Sequence, residues 1–195
     1  MEDTFELAHV AQAALELQTF CSSRGWEFCF IGGVAYQAWG DPRTTLDADI
    51  TLLTGFVNEE IFVNELLRFY KGRRPDAREF ALRARVLLLE AKNGVGIDIG
   101  LGALPFEELS VRRAVEKEVV KGVVLRVCTP EDLIVHKAFA SRLQDWADVE
   151  KTLMRQGKKL NISQIFADLR PLVELKEDPD ILPRLERMMQ KRGLL

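Results

Sequence analysis

Three aspartates, Asp47, Asp49 and Asp98, are the residues of this sequence best suited to chemistry. Asp47 and Asp49 lie two residues apart in the segment 46–53, in which polar and apolar residues alternate. An alternation of period two indicates a strand, so both carboxylates should leave the same face. Two carboxylates so close repel each other unless a cation lies between them. The pair therefore predicts a site for Mg²⁺ (or Mn²⁺), since Mg²⁺ takes one or two carboxylates plus substrate phosphates.

Asp98 supplies a third carboxylate from a second predicted strand, within Gly-Ile-Asp-Ile-Gly. Its neighbours Ile97 and Ile99 should point to the opposite face. If Asp98 faces the same way as the first pair, it would help hold a second metal or accept the proton of an attacking hydroxyl. Two metals about 3.5–4 Å apart stabilise the attacking and leaving oxygens of an in-line phosphoryl displacement. We therefore predict that all three aspartates are catalytic and metal-binding.

Two glycines, Gly32 and Gly33, follow a short apolar segment at 27–31 that reads as a buried strand. Without a Cβ, they let the backbone approach a phosphate and donate N–H groups to it. Arg43 and Thr45 lie just before the aspartate strand and are within reach of a triphosphate in this interpretation. These residues also have a purely structural interpretation. The glycines would then form a tight strand-to-helix turn, and Arg43 and Thr45 would be ordinary loop residues.

The elements that must position these residues form two halves. An α/β half is predicted up to residue 128, and a helical half follows. Thr129 and Pro130 are typical of a helix start. The predicted strands cover 27–31, 46–53, 84–91, 95–101 and 118–128, with a hairpin turn at 92–94 and a loop at 71–78. The predicted helices cover 4–23, 34–39, 58–70, 105–114, 131–141, 145–156, 162–175 and 181–192.

Composition limits the classes of partner. The net charge is −3, so no global field attracts nucleic acid, and RNA contact would need a local patch such as the basic segment 71–78. The three cysteines, Cys21, Cys29 and Cys128, are far apart and odd in number, which favours a reduced interior. No apolar run approaches a membrane span, and the N-terminus lacks the basic start of a signal peptide. These features predict a cytoplasmic protein with no membrane partner.

The order strand, Gly-Gly, helix, Asp-x-Asp and later acidic strand resembles the DNA polymerase β-like nucleotidyltransferase superfamily. The resemblance implies a nucleotidyltransferase fold (α/β, α+β) with a small mixed sheet flanked by helices. Residues 1–128 would be the catalytic core, and 129–195 a C-terminal helical region packed on it. The sequence departs from the better-known toxins at Gly33, where they often carry serine, so a hydroxyl that could bind phosphate is absent.

The resemblance extends downstream, and spans about residues 28–150 in all. Pro-Glu-Asp-Leu-Ile-Val-His-Lys at 130–137, followed by Arg142, Asp145 and Asp148, is similar to small bacterial nucleotidyltransferases of the AbiEii/AbiGii toxin type. This likeness implies that Lys137 faces the nucleotide triphosphate and that a cognate antitoxin is a partner. The residues themselves leave another interpretation open, in which Lys137 is solvated and the other three form an ion-pair network between helices.

The expected function is metal-dependent transfer of a nucleoside monophosphate from a nucleoside triphosphate to a hydroxyl. The acceptor would be a tRNA end, a protein side chain or a small molecule, and the protein would be toxin-like if the acceptor is tRNA. A second hypothesis is a binding module of a toxin–antitoxin pair that holds nucleotide or partner without turnover. A third is a phosphohydrolase that directs the same metals at water, which the Gly-Gly to Asp-x-Asp spacing does not favour.

Overall fold

The computed structural model describes residues 2–41 and 43–195, and side chains from Leu7 onward. The chain divides into two compact units. The first unit comprises Met1–Ala38 and Arg43–Cys128, and the second comprises Trp39–Pro42 and Thr129–Leu195. None of the helices in the described residues is long and apolar enough to cross a membrane.

In the part of the chain that the structure describes, seven strands of the first unit form one mixed sheet with the order β3-β4-β5-β2-β1-β7-β6. The strands β2 and β5 are parallel, as are β1 and β7, and the other neighbours are antiparallel. The strands are β1 Phe28–Phe30, β2 Asp47–Leu53, β3 Lys71–Gly72, β4 Val86–Glu90, β5 Gly96–Gly102, β6 Val115–Val120 and β7 Val123–Val127.

The helices α1 to α5 belong largely to the first unit, and α6 to α9 to the second. Among the former, α1 and α5 pack against strands of the sheet. The prediction of a mixed sheet flanked by helices is therefore confirmed. The helices are α1 Glu2–Ser23, α2 Gly32–Trp39, α3 Glu59–Leu67, α4 Ala77–Ala84, α5 Pro105–Arg113, α6 Pro130–Ala140, α7 Leu143–Gln156, α8 Ile162–Lys176 and α9 Ile181–Gln190, with a 3₁₀ turn at Gly157–Lys159.

The alternation in the two central strands sets which residues enter the core. On β2, Ile50 and Leu52 are fully buried, and on β5 Ile97 and Ile99 are fully buried as well. Burial of such side chains contributes roughly 1.5–3 kcal/mol each. The residues that alternate with them on each strand must then point to the other face, and Asp47, Asp49 and Asp98 are among those residues.

Two predicted elements differ from the structure. The basic segment 71–78 is a loop only at 73–76, because 71–72 form β3 and α4 begins at Ala77. Its charges obscured the helical spacing of Ala77 and Ala81, which are buried. Residues 118–128 are not one strand but part of the β6–β7 hairpin, in which Gly122 adopts a φ of 81° at the turn. A left-handed backbone of this kind favours glycine and reverses the chain.

Candidate active site

Strand register places the three aspartates on one face of the sheet. In the parallel pair β2–β5, Asp49 lies opposite Asp98, and Asp47 lies opposite Gly96. Residues opposite one another share a face, and neighbouring strands are about 4.8 Å apart. Each of the three aspartates is partly exposed, whereas Ala48, Ile50, Ile97 and Ile99, which alternate with them on the two strands, are buried. The sheet thus presents three carboxylates at adjacent positions, all within the first unit.

Asp49 is held by the Gly-Gly turn that begins α2. The Ile31 N–H donates to the backbone oxygen of Asp49 at 3.0 Å, and the Gly33 N–H donates to its Oδ2 at 3.3 Å. A Cβ at Gly32 would lie 2.0 Å from the same Oδ2, and Gly32 has a φ of +56°. Any side chain at this position would displace the carboxylate. The two glycines therefore allow close contact between the turn and Asp49, and one of their N–H groups donates to its carboxylate.

Thr45 occupies the space beside the second glycine. A Cβ at Gly33 would lie 2.1 Å from Thr45 Oγ1, so a serine at position 33 does not fit beside this threonine. Thr45 is only 5% exposed, and its hydroxyl donates to the backbone oxygen of Asp47 at 3.3 Å. The Thr45 hydroxyl thus fills the space that a side chain at position 33 would need.

Arg43 belongs to the same loop, which is tied to α2. The Gln37 side-chain amide donates to the backbone oxygen of Arg43 at 2.6 Å. The Arg43 guanidinium donates to the backbone oxygen of Thr44 at 2.8 Å and lies 5.1 Å from the centre of the Tyr36 ring. These contacts fix the loop that leads into β2, so Arg43 and Thr45 are brought close to the aspartate strand.

Asp98 pairs with Arg73, a residue that the sequence analysis did not assign to the site. Burial raises the pKa of Asp98; the charge of Arg73 lowers it, but the carboxylate of Asp47 raises it again, and the net pKa lies above its ordinary value. Within the described residues, no three side chains of His, Cys, Asp or Glu are grouped closely enough to hold a metal ion as they stand. Metal binding by the three aspartates stays a prediction.

The other basic residues of 71–78 are paired locally. Lys71 contacts Glu90 at 3.1 Å, Arg74 contacts Asp76 at 2.9 Å, and Arg78 contacts Glu60. Such exposed pairs are weak individually, yet they reduce the net charge of the segment. A patch dedicated to RNA phosphates is therefore not supported here.

Lys137 lies in the second unit, where it joins two buried aspartates. Its Nζ lies 3.0 Å from Asp145 Oδ1 and 2.9 Å from Asp148 Oδ2. The lysine side chain is 8% exposed, and each aspartate side chain is 1% exposed. The Arg142 Nε also donates to Asp145 at 2.6 Å, and Gln144 donates to Asp148 at 2.9 Å. The downstream motif thus forms an ion-pair network between α6 and α7, and a nucleotide role for Lys137 stays a prediction.

This network alters the protonation of its neighbourhood. Burial by itself would raise the pKa of Asp145, but hydrogen bonds from Arg142 and Lys137 outweigh it and hold the pKa below the ordinary value. For His136, burial and the nearby Lys137 charge lower the pKa from 6.5 to about 4. His136 is consequently neutral at physiological pH.

Comparison with known proteins identifies the fold. No family model and no curated protein matches the chain. The structure is similar to an antigenic nucleotidyltransferase-like protein from Paracoccidioides brasiliensis, with a TM-score of 0.55, 14% identity and coverage of 94% of both chains. It is also similar to the antibiotic-resistance factor ANT(2'')-Ia, with a TM-score of 0.53, 16% identity and coverage of 90% of this chain and 96% of that one. At such identities the likeness shows a nucleotidyltransferase fold.

The contact between Gly33 and Thr45 predicts a coupled pair. Gly33→Ala should lower the free energy of unfolding by about 1–3 kcal/mol, because the new Cβ overlaps the threonine hydroxyl. In a Thr45→Gly background the same change should cost much less. Urea unfolding of the two single variants and the double variant measures the coupling, and an equal cost in both backgrounds would contradict it.

The Lys137 network predicts a large loss of stability when the cation is removed. Lys137→Met leaves two buried carboxylates without their shared ammonium and should lower the free energy of unfolding by about 3–5 kcal/mol. Adding Asp145→Asn and Asp148→Asn should recover much of that loss. The control is Lys151→Met, which removes a half-exposed lysine from α7, the helix that carries the two aspartates. Equal destabilisation by the two lysine variants in urea unfolding would rule out the buried network.

The lowered pKa of His136 predicts instability in mild acid. The unfolded chain takes up a proton below about pH 6.5, whereas the folded chain takes it up only near pH 4. Stability should therefore fall as the pH drops through this window, by about 2 kcal/mol at pH 5 relative to pH 7. His136→Asn, which does not titrate, should lose less over the same range. If the two proteins lose the same free energy of unfolding between pH 7 and pH 5, the assignment is refuted.

Proposed function

We propose that this protein transfers a nucleoside monophosphate from a nucleoside triphosphate to a hydroxyl acceptor and releases pyrophosphate. The observation that carries the proposal is the β2–β5 register, which places Asp47, Asp49 and Asp98 on one face. The nucleotidyltransferase fold supports it. Packing does not require three carboxylates at adjacent positions, and their mutual repulsion needs a cation to offset it.

The residues present fit Mg²⁺ or Mn²⁺. Asp47, Asp49 and Asp98 offer carboxylate oxygens, the donors that these ions prefer. Gly32 leaves room for the Asp49 carboxylate, because a Cβ at this position would collide with it. A divalent ion held there would neutralise charge on the triphosphate and on the departing pyrophosphate.

In the proposed reaction, the acceptor oxygen attacks the α-phosphorus. The bond to the oxygen that bridges to the β-phosphate breaks, and pyrophosphate carries that electron pair away. Asp98 takes the proton of the acceptor hydroxyl, a role that a carboxylate beside the attacking oxygen can fill. Gly32 and Gly33 place backbone N–H groups near the phosphates, and Arg43 and Thr45 shape the adjoining loop. A role for Lys137 beside pyrophosphate would require its ammonium to exchange an aspartate for a phosphate.

The identity of the acceptor would determine the biological role of the transfer. A tRNA end would match the AbiEii-type likeness and a toxin-like role, and a protein side chain would keep the chemistry and change the target. The similarity to an antibiotic-resistance factor adds antibiotics to the small molecules that deserve testing. In this proposal residues 1–128 form the catalytic core, and 129–195 form a helical region that carries Lys137.

A binding module is the second candidate, with nucleotide or a cognate antitoxin as its partner. The pairing of Asp98 with Arg73 and of Lys137 with two aspartates favours it, because these charges are already neutralised. Tight binding of magnesium–nucleotide without pyrophosphate release, across RNA, protein and antibiotic acceptors, would select the module over the enzyme.

Replacement of the metal pair tests the enzyme. Asp47→Asn combined with Asp49→Asn should lower transfer at least roughly thousand-fold, because the charge stabilisation of the transition state is lost. The measurement is incorporation of label from each of four α-labelled nucleoside triphosphates, with Mg²⁺, into total RNA, total protein and an antibiotic panel. Asp76→Asn, which removes an exposed carboxylate from the same unit, is the matched control. Undiminished transfer in the double variant would refute the assignment.

A further inference from the structure

Arg73 reaches the aspartate face from a different strand. Its backbone N–H donates to the Leu88 oxygen at 3.0 Å, directly after β3 pairs with β4. Leu88 in turn lies opposite Asp98 in the β4–β5 register. The side chain of Arg73 therefore starts beside β4 and crosses that strand to reach the carboxylate on β5. Sheet pairing fixes its starting point, so its approach to Asp98 does not depend on a free loop.

Gly96 provides the room for this approach. A Cβ at Gly96 would lie 3.0 Å from Arg73 Nη1 and 3.6 Å from the Cβ of Asp47. The guanidinium thus lies over a glycine that is opposite Asp47 and two residues before Asp98. The positive group thus pairs with Asp98 and lies beside the glycine that is opposite Asp47. A larger residue at position 96 would crowd it.

Its neighbours in the sequence behave differently. The structure describes all four basic residues of 71–78, and three of them pair with carboxylates other than Asp47, Asp49 and Asp98. Of these four basic residues, Arg73 is the one that pairs with an aspartate of the proposed site, Asp98. The environment of Arg73 is therefore distinct from that of Arg74, which has the same charge and a similar exposure.

We propose that Arg73 is an internal cation that neutralises Asp98 in the metal-free protein and that competes with the divalent metal for that carboxylate. This inference rests on the proposed function. Guanidinium and metal carry like charge, so they cannot both lie against the same oxygens without repulsion. Metal binding releases the guanidinium, whose planar N–H groups match phosphate oxygens. Arg73 then pairs with the triphosphate of the incoming nucleotide.

Binding of Mn²⁺ alone tests the competition without any turnover. Free Mn²⁺, measured by electron paramagnetic resonance, gives the affinity of each purified protein in the absence of nucleotide. Arg73→Gln removes the competing charge and should tighten Mn²⁺ binding about 3- to 10-fold. Arg74→Gln, which removes the same charge one residue away, should leave it unchanged. Arg73→Lys retains a cation and should bind Mn²⁺ nearly as the wild type does.

The Asp98→Asn variant tests whether Arg73 changes Mn²⁺ affinity through the Asp98 carboxylate. In that background Arg73→Gln should no longer change Mn²⁺ affinity, because the shared ligand is gone. Unchanged or weaker Mn²⁺ binding by Arg73→Gln, or an equal gain with Arg74→Gln, would overturn the inference. Mn²⁺ binding that survives Asp47→Asn with Asp49→Asn would instead refute the proposed metal site, so the two failures are distinguishable. Thermal unfolding of every variant confirms that a folded protein was measured.

Discussion

Repulsion among carboxylates on one sheet face is the constraint on which the first unit depends. The buried apolar sides of β2 and β5 force Asp47, Asp49 and Asp98 onto the opposite face, at adjacent positions. Each neighbouring feature lowers the cost of that placement: the Gly33 N–H points at one carboxylate and the Arg73 guanidinium at another. Glycines occur at two of the close approaches, because a Cβ at Gly32 would displace the Asp49 carboxylate and a Cβ at Gly96 would crowd the Arg73 guanidinium. The same crowding is the basis on which a divalent-cation site is proposed here.

In the second unit, repulsion between two neighbouring carboxylates is offset by a buried lysine. Asp145 and Asp148 are almost fully buried, and a lysine of the neighbouring helix lies between them. Lys137 compensates these buried charges, and the ion pairs hold the two helices together. On the sheet the aspartates remain partly exposed, which leaves them accessible to the cation proposed to bind there. Burial thus separates the carboxylates that join helices from those that remain accessible to a ligand.

The sequence predicts the aspartate face because its signals are local. Alternation defined β2, and the Gly-Ile-Asp-Ile-Gly segment defined β5 with its hairpin. The metal and substrate roles of these residues stay predictions. Arg73 was not foreseen as a partner of Asp98, since its position depends on pairing between β3 and β4, and β3 has only two residues. The packing of Thr45 against Gly33 is likewise a contact between segments that no periodicity reveals.

The parallel pairing of β2 with β5 has a consequence for how the chain folds. The two strands are far apart in sequence, so many registers are available before the native one forms. A slip of one residue would turn Asp98 toward the interior and expose Ile97 and Ile99. Burying an ionised carboxylate there is strongly unfavourable. The charged residues proposed for chemistry therefore also discriminate against mispaired intermediates while the sheet assembles.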